Sequence, residues 1–326
     1  MKGGTVVTQK LEIEIPIICG AMYPCSNPEL VAAASEAGGM GVIQPLSLEF
    51  VHGYSFRDGL ARIGSLTSKP VGLNVIVERS SKKYLDKMKR YVEDSLEAGI
   101  RFFVTSLGNP SWVVEMAHEV DGLVYHDVTE RRWALKAMDS GVDGLIAVNS
   151  RAGGHAGSQS AEELLAELAD LGCPLVCAGG VGDEQAYVRA LDLGYQAVQM
   201  GTRFIVTTEC NSSDDYKSAI IRAGEEDIVL TERMTGVPVA VIRTPYIERT
   251  GTKSGPLARW MLRGRRTKHW MRMIYSLSSL WKLKRSTYRS FSYRDFLQAG
   301  KSAQGVREVE SVQQVMDRFE MARKGQ

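Results

Sequence analysis

Short apolar runs separated by longer amphipathic segments set the pattern of this chain. Eight such runs occur at 16–20, 39–43, 71–75, 102–105, 123–126, 144–148, 175–177 and 197–200, each rich in β-branched residues or bounded by Gly or Pro, as buried strands are. Between them, residues 28–37, 82–98, 130–140, 161–171 and 184–193 space their apolar side chains as helices do. Four of these helices end alike, in Glu36-Ala-Gly-Gly39, Glu97-Ala-Gly99, Asp139-Ser-Gly141 and Asp192-Leu-Gly194, and the next strand follows at once. Glycine there can take the left-handed conformation that closes a helix. Eight β-then-α units with such short returns predict a parallel sheet. Without a Gly-x-Gly-x-x-Gly fingerprint opening the chain, the expected fold is an α/β one, a closed (β/α)8 TIM barrel rather than an open doubly wound sheet. The second unit, 46–66, has the poorest helical pattern.

The chain continues past the eighth unit with a helical stretch at 213–223, an apolar run at 237–242 and a final amphipathic helix at 309–322. Between them lies a segment of different character. Residues 243–294 carry 14 Lys and Arg against the single acid Glu248, a net +13, whereas the whole chain is only +2. We read 243–294 as a basic, aromatic-rich helical insertion or lid, and 1–242 with 295–326 as the barrel and its C-terminal helix. Besides a lid over the barrel mouth, cations mixed with Trp and Met suit an anionic membrane surface or an acidic protein partner. Nucleic acid is the poorest reading, because no recognition motif accompanies the charge.

At 326 residues and 44% hydrophobic content the chain can bury a large core. No apolar run reaches about 18 residues and no leader-like segment opens it, so a cytoplasmic protein is expected, peripheral to the membrane only if the basic segment attaches it. The five cysteines are odd in number and show no Cys-x-x-Cys spacing with matching histidines, which argues against a disulfide framework or a metal site. Cys19 and Cys177 fall within strands and are expected in the core.

The chemistry concentrates where strands end. After the sixth run comes Arg151-Ala-Gly-Gly-His-Ala-Gly157, a histidine flanked by glycines at the carboxyl end of a strand, where barrel enzymes collect their catalytic groups. His155 is the expected catalytic residue, because an imidazole near neutral pKa can take a proton or orient an anion. After the seventh and eighth runs come Ala178-Gly-Gly-Val181 and Met200-Gly-Thr202. Gly179, Gly180 and Gly201 allow close approach of backbone N–H groups to a phosphate, and the Thr202 hydroxyl can donate to it. His126, ending the fifth run, is expected at the mouth as a packing or substrate contact.

Taken together, Gly20-Ala-Met22, Asn74, the histidine loop, Ala178-Gly-Gly180 and Gln199-Met-Gly-Thr202 resemble the nitronate monooxygenase family over residues 10–210, with a fainter echo in Phe296-Leu-Gln-Ala-Gly-Lys301. The resemblance implies an FMN-binding TIM barrel that oxidises alkyl nitronates with O2 to a carbonyl compound and nitrite. It places Ala21, Met22, Asn74, Gly153, Gly179 and Gly180 around the cofactor, Gln199, Met200, Gly201 and Thr202 at its phosphate, and the catalytic histidine at His155. The partners implied are a small-molecule substrate and O2. Relatives include an enoyl-acyl-carrier-protein reductase and NADH:quinone reductases, so an NAD(P)H-dependent FMN reductase of enoyl thioesters or quinones stands as the alternative. A non-enzymatic barrel that binds a membrane or partner is the third reading. One departure bears on the substrate. Where relatives carry Gln-Gly-x-Glu before the histidine loop, this chain has Val148-Asn-Ser-Arg151, and Arg151 would favour an anionic substrate.

Overall fold

The computed structural model describes residues 4–78, 82–233, 237–253 and 296–325. Eight parallel strands close on themselves: β1 (Ile17–Cys19), β2 (Met40–Ile43), β3 (Val71–Ile76), β4 (Phe102–Ser106), β5 (Leu123–Val128), β6 (Gly144–Val148), β7 (Leu175–Ala178) and β8 (Ala197–Met200). Closure falls between β8 and β1, where Ile18 stands opposite Gln199 and Cys19 opposite Met200. The (β/α)8 barrel expected from the sequence is therefore the fold.

Alternation along each strand sorts the side chains into two layers. Ile18, Met40, Val42, Phe102, Val104, Tyr125, Ile146 and Val176 fill the barrel interior. Their neighbours Ile17, Cys19, Leu73, Val75, Phe103, Val124, Leu145, Ala147, Cys177 and Val198 face outward beneath the helices, which places Cys19 and Cys177 in the core as expected. Inside, the rings of Phe102 and Tyr125 meet edge to face with centroids 5.3 Å apart. Gly144 makes room for them, since a Cβ there would lie 2.6 Å from the Tyr125 ring. A helix the sequence pattern does not single out, α1 (Val6–Leu11), is capped by the Thr5 hydroxyl. Its Val7 and Leu11, with Ile13, join the interior cluster ahead of β1 and close that end of the barrel.

The helical layer comprises α2 (Pro28–Glu36), α3 (Pro45–Phe50), α4 (Phe56–Leu66), α5 (Lys82–Glu97), α6 (Ser111–His118), α7 (Arg131–Met138), α8 (Ala161–Leu168) and α9 (Glu184–Leu193). The poorly patterned second unit is two short helices, each started by its own cap, Gln44 onto Leu46 N–H and Ser55 onto Asp58 N–H. Past β8, α10 (Thr202–Ile205) is a single turn. The helix Val312–Lys324 from the far end of the chain packs on α9 and α2 instead, with Phe319 5.5 Å from the Tyr187 ring. Arg203 fastens this return: fully buried, it is paired with Glu310 at 2.9 Å and donates to the Glu308 carbonyl. A guanidinium out of water is tolerable only with such partners.

Between α10 and that helix, α11 (Asp214–Arg222) leads to an antiparallel hairpin of β9 (Ile228–Thr231) and β10 (Val239–Ile242), followed by α12 (Pro245–Thr250). Val239, Val241, Ile247 and Phe296 form a small core of their own, against which Tyr23 packs. Residues 243–253, the start of the basic segment, thus lie on this hairpin. The remainder of that segment, 254–294, lies outside the described residues, and with it the lid, membrane and acidic-partner readings. Among the described residues no helix is long and apolar enough to cross a membrane.

Candidate active site

The loop after β6 is held from several sides. Asn149, fully buried, accepts the Arg151 N–H at Oδ1 (2.8 Å) and donates from Nδ2 to the Gly179 carbonyl (3.0 Å). One side chain thereby couples the histidine loop to the glycine loop after β7. Gly179 makes that approach possible: its φ is +116°, and a Cβ would lie 2.5 Å from Asn149 Oδ1 and 2.6 Å from the Ala152 nitrogen. From above, β10 donates Ala240 N–H to the Gly154 carbonyl at 2.8 Å. From the C-terminal side, Lys301 N–H donates to the Arg151 carbonyl at 3.0 Å, and Gly300 packs against Gly153 closely enough that a Cβ on Gly300 would meet the Gly153 nitrogen at 2.6 Å.

His155 emerges from this fixed loop with its side chain open to solvent. Surrounding protein nonetheless partly desolvates the ring, which lowers its pKa below the usual histidine value. The imidazole is therefore neutral and able to accept a proton at physiological pH.

The corner where the sequence reading expects a phosphate is built from the same contacts. The strand ladder ends at Ala178, leaving Gly179 and Gly180 beyond it with φ of +116° and +81°. The Thr202 hydroxyl accepts Gly300 N–H at 3.0 Å and keeps its own proton to donate. Gly201 lies beside the Met22 sulfur. Arg151 runs across Gly180 and ends on Glu225 at 2.7 Å, where Lys301 also reaches at 3.2 Å. These two cations hold the Glu225 carboxyl below its ordinary pKa against the opposing effect of its desolvation. Arg151 thus sits beside the glycine loop after β7 with its charge partly matched.

On the opposite wall, Gln199 folds over Gly20, where a Cβ would stand 2.9 Å from its side chain, and its Oε1 is buried without a hydrogen-bond partner. Asn74 lies between the outward residues Leu73 and Val75 and so points inward, half buried. Ala21 packs beside the interior cluster. The structure therefore gathers Ala21, Met22, Asn74, Gly153, Gly179, Gly180, Gln199, Gly201 and Thr202 with His155 around the carboxyl ends of the strands.

The side chains of two expected residues point elsewhere. Met200 alternates outward into the helical layer, and its carbonyl accepts Gly20 N–H at 3.0 Å, so its side chain is core. His126 stands between Tyr125, which faces in, and the outward Val124 and Val128 two places away, so it too points outward. Its Nδ1 is 2.8 Å from Thr105 Oγ1. Strand alternation, invisible when the histidine is read only as a strand end, removes it from the mouth. Burial lowers its pKa to about 4, against about 6.5 in an unfolded chain. A depressed pKa contributes stability that is present above pH 6.5 and lost as pH falls toward 4. Chemical denaturation of wild type and His126→Asn should show a difference that shrinks by up to about 3 kcal/mol over that window; a difference independent of pH would count against a neutral buried imidazole.

The residues missed from sequence are Asn149, Glu225 and the backbone of Gly300 and Lys301. The weak motif at 296–301 signals the backbone pair. Asn149 and Glu225 carry no local signal, because their partners lie 30 and 74 residues away.

A closed parallel barrel whose glycine loops and histidine lie at the carboxyl ends of its strands places the chain among the (β/α)8 barrel enzymes. Within that class the chain belongs to the nitronate monooxygenase family, whose model matches residues 5–319. A probable nitronate monooxygenase of Staphylococcus saprophyticus is 29% identical over 296 residues, covering 76% of this chain and 81% of the relative. A hydroxy-methyl-oxo-octahydroindene-carboxyl-CoA dehydrogenase of Mycobacterium tuberculosis is 28% identical over 263 residues, covering 79% and 71%. The solved structure of FabK from Thermotoga maritima superposes with a TM-score of 0.80 at 28% identity, covering 99% of this chain and 97% of the other. The protein is a flavin-dependent oxidoreductase acting on a small-molecule substrate.

Proposed function

We propose that the protein is an FMN-dependent nitronate monooxygenase, converting an alkyl nitronate or its nitroalkane to a carbonyl compound and nitrite with O2. The observation that carries this reading is His155, held by its backbone neighbours at the carboxyl ends of the strands with its pKa lowered by desolvation. FMN fits the residues present. Gly179, Gly180, Gly201 and Thr202 would hold its phosphate, with Arg151 and Lys301 beside them, and the unpartnered Gln199 Oε1 would accept a hydrogen bond from an N–H or O–H elsewhere on the cofactor. Bound there, the flavin would supply the electron and oxygen chemistry. His155 would take the α-proton of a neutral nitroalkane at an imidazole nitrogen, or orient a nitronate delivered as the anion.

A second reading, a pyridine-nucleotide-dependent flavin reductase acting on a thioester, is favoured by the CoA-linked dehydrogenase among the relatives and by the match to FabK. Visible spectra taken without oxygen separate the two. A flavin unchanged by NADH and NADPH but altered by ethyl nitronate supports the oxidase chemistry; rapid bleaching by either nucleotide would replace it with the reductase.

A further inference from the structure

Asp127 takes no part in the site as described so far, yet it is placed to touch whatever the barrel mouth holds. On β5 the interior positions are Leu123 and Tyr125, and two-residue alternation puts Asp127 next on the same face, at the carboxyl end. It stands opposite Ile146 of β6 in register. Its Oδ1 is sealed from solvent and has no hydrogen-bond partner. An orphaned carboxyl oxygen inside a barrel mouth is costly, and a second such atom, Gln199 Oε1, is buried on the opposite wall.

We propose that the Asp127 carboxyl is a flavin-facing group of this mouth, donating its proton in a hydrogen bond to an acceptor atom of the bound ring system. The inference rests on the flavin reading above. Its chemistry follows from the surroundings. Among the described residues no cation is directed at Asp127: the neighbouring interior positions are Val104 and Ser106 on β4 and Ile146 and Val148 on β6. Below it, burial keeps the Tyr125 hydroxyl protonated. The helices α6 and α7 pack on β5, and their charges turn elsewhere, His118 to Asp143, Arg131 to Asp170, Arg132 to Glu130 and Lys136 over Trp133. At the rim, His155 is uncharged at neutral pH, while Arg151 and Lys301 are directed to Glu225. Burial alone therefore governs the carboxyl and pushes it up to about 7. Below that pH it is an acid with a proton to give; above it the same oxygens become an unpaired buried anion, which opposes binding of an acceptor atom.

The test is a fluorescence titration of the full chain, stripped of flavin, with FMN from pH 5.5 to 9. Wild type should lose affinity above about pH 7, by up to about tenfold per pH unit. Asp127→Asn, whose amide donates at every pH, should bind FMN with no such loss. Asp127→Leu, of similar size but without a donor, should bind about tenfold more weakly than wild type at pH 6. The FMN phosphate titrates near pH 6 in all three experiments and cancels in their ratios. Parallel pH profiles for wild type and Asp127→Asn, or undiminished affinity of Asp127→Leu at pH 6, would overturn the proposal while leaving the flavin reading intact. No quenching of FMN by wild type at any pH would remove the flavin reading, and the inference with it.

Discussion

Replacing His155 by Asn is expected to lower kcat for a neutral nitroalkane by about 10²–10⁴-fold, the usual contribution of a positioned general base, with FMN still bound. The loop itself should survive. It is fastened by Asn149, Ala240, Gly300 and Lys301 through backbone groups or side chains other than the imidazole. The substrate series then separates the two roles open to the ring. If His155 removes the α-proton, turnover of the nitroalkane should fall far more than turnover of the preformed nitronate; equal losses would make it an orienting group. Because desolvation lowers its pKa, wild-type nitroalkane turnover should rise with pH along an acidic limb whose midpoint lies below 6.5, and the limb should vanish in the variant. Near-normal nitroalkane turnover by His155→Asn would remove the residue from the mechanism.

Gly179→Ala should be the most damaging small substitution near the mouth. Its cost has two parts, a left-handed φ of +116° and a Cβ pressed against Asn149 Oδ1 and the Ala152 backbone. Strain of about 1–3 kcal/mol for the backbone adds to a further 1–3 kcal/mol, roughly, for overpacking. Relief would require the β6 and β7 loops to separate, breaking the Asn149 hydrogen bonds that align them. Denaturant titration should therefore show a loss of about 3 kcal/mol, accompanied by at least about tenfold weaker FMN binding. Gly172→Ala is the control, with φ of +69° and open space around its Cβ; it should cost only about 1 kcal/mol and leave FMN affinity unchanged. Equal effects of the two substitutions would show that loop contact at Gly179 contributes nothing beyond backbone strain.

These two predictions mark where sequence and tertiary structure divide the work. The barrel was legible because an apolar run wide enough for one strand repeats eight times with helical segments between, and four of those helices close on a glycine, Gly38, Gly99, Gly141 and Gly194, all at positive φ. The glycine loops and His155 were legible for the same reason, since backbone freedom at a strand end is a property of the local residues. What the sequence left open depends on direction and distance. His126 and Asp127 are adjacent in the chain, and only closure of the barrel turns the first toward Thr105 and the second toward the mouth. The C-terminal segment shows the other limit. Gly300 and Lys301 reach Thr202 and Arg151 only because the final helix packs on α2 and α9 to complete the ring. The sequence by itself determined the eight barrel strands, their order and the loops capable of chemistry, but neither α1 nor β9. Which side chains meet was decided by the tertiary structure, because burial and hydrogen bonding act between residues that the chain keeps far apart.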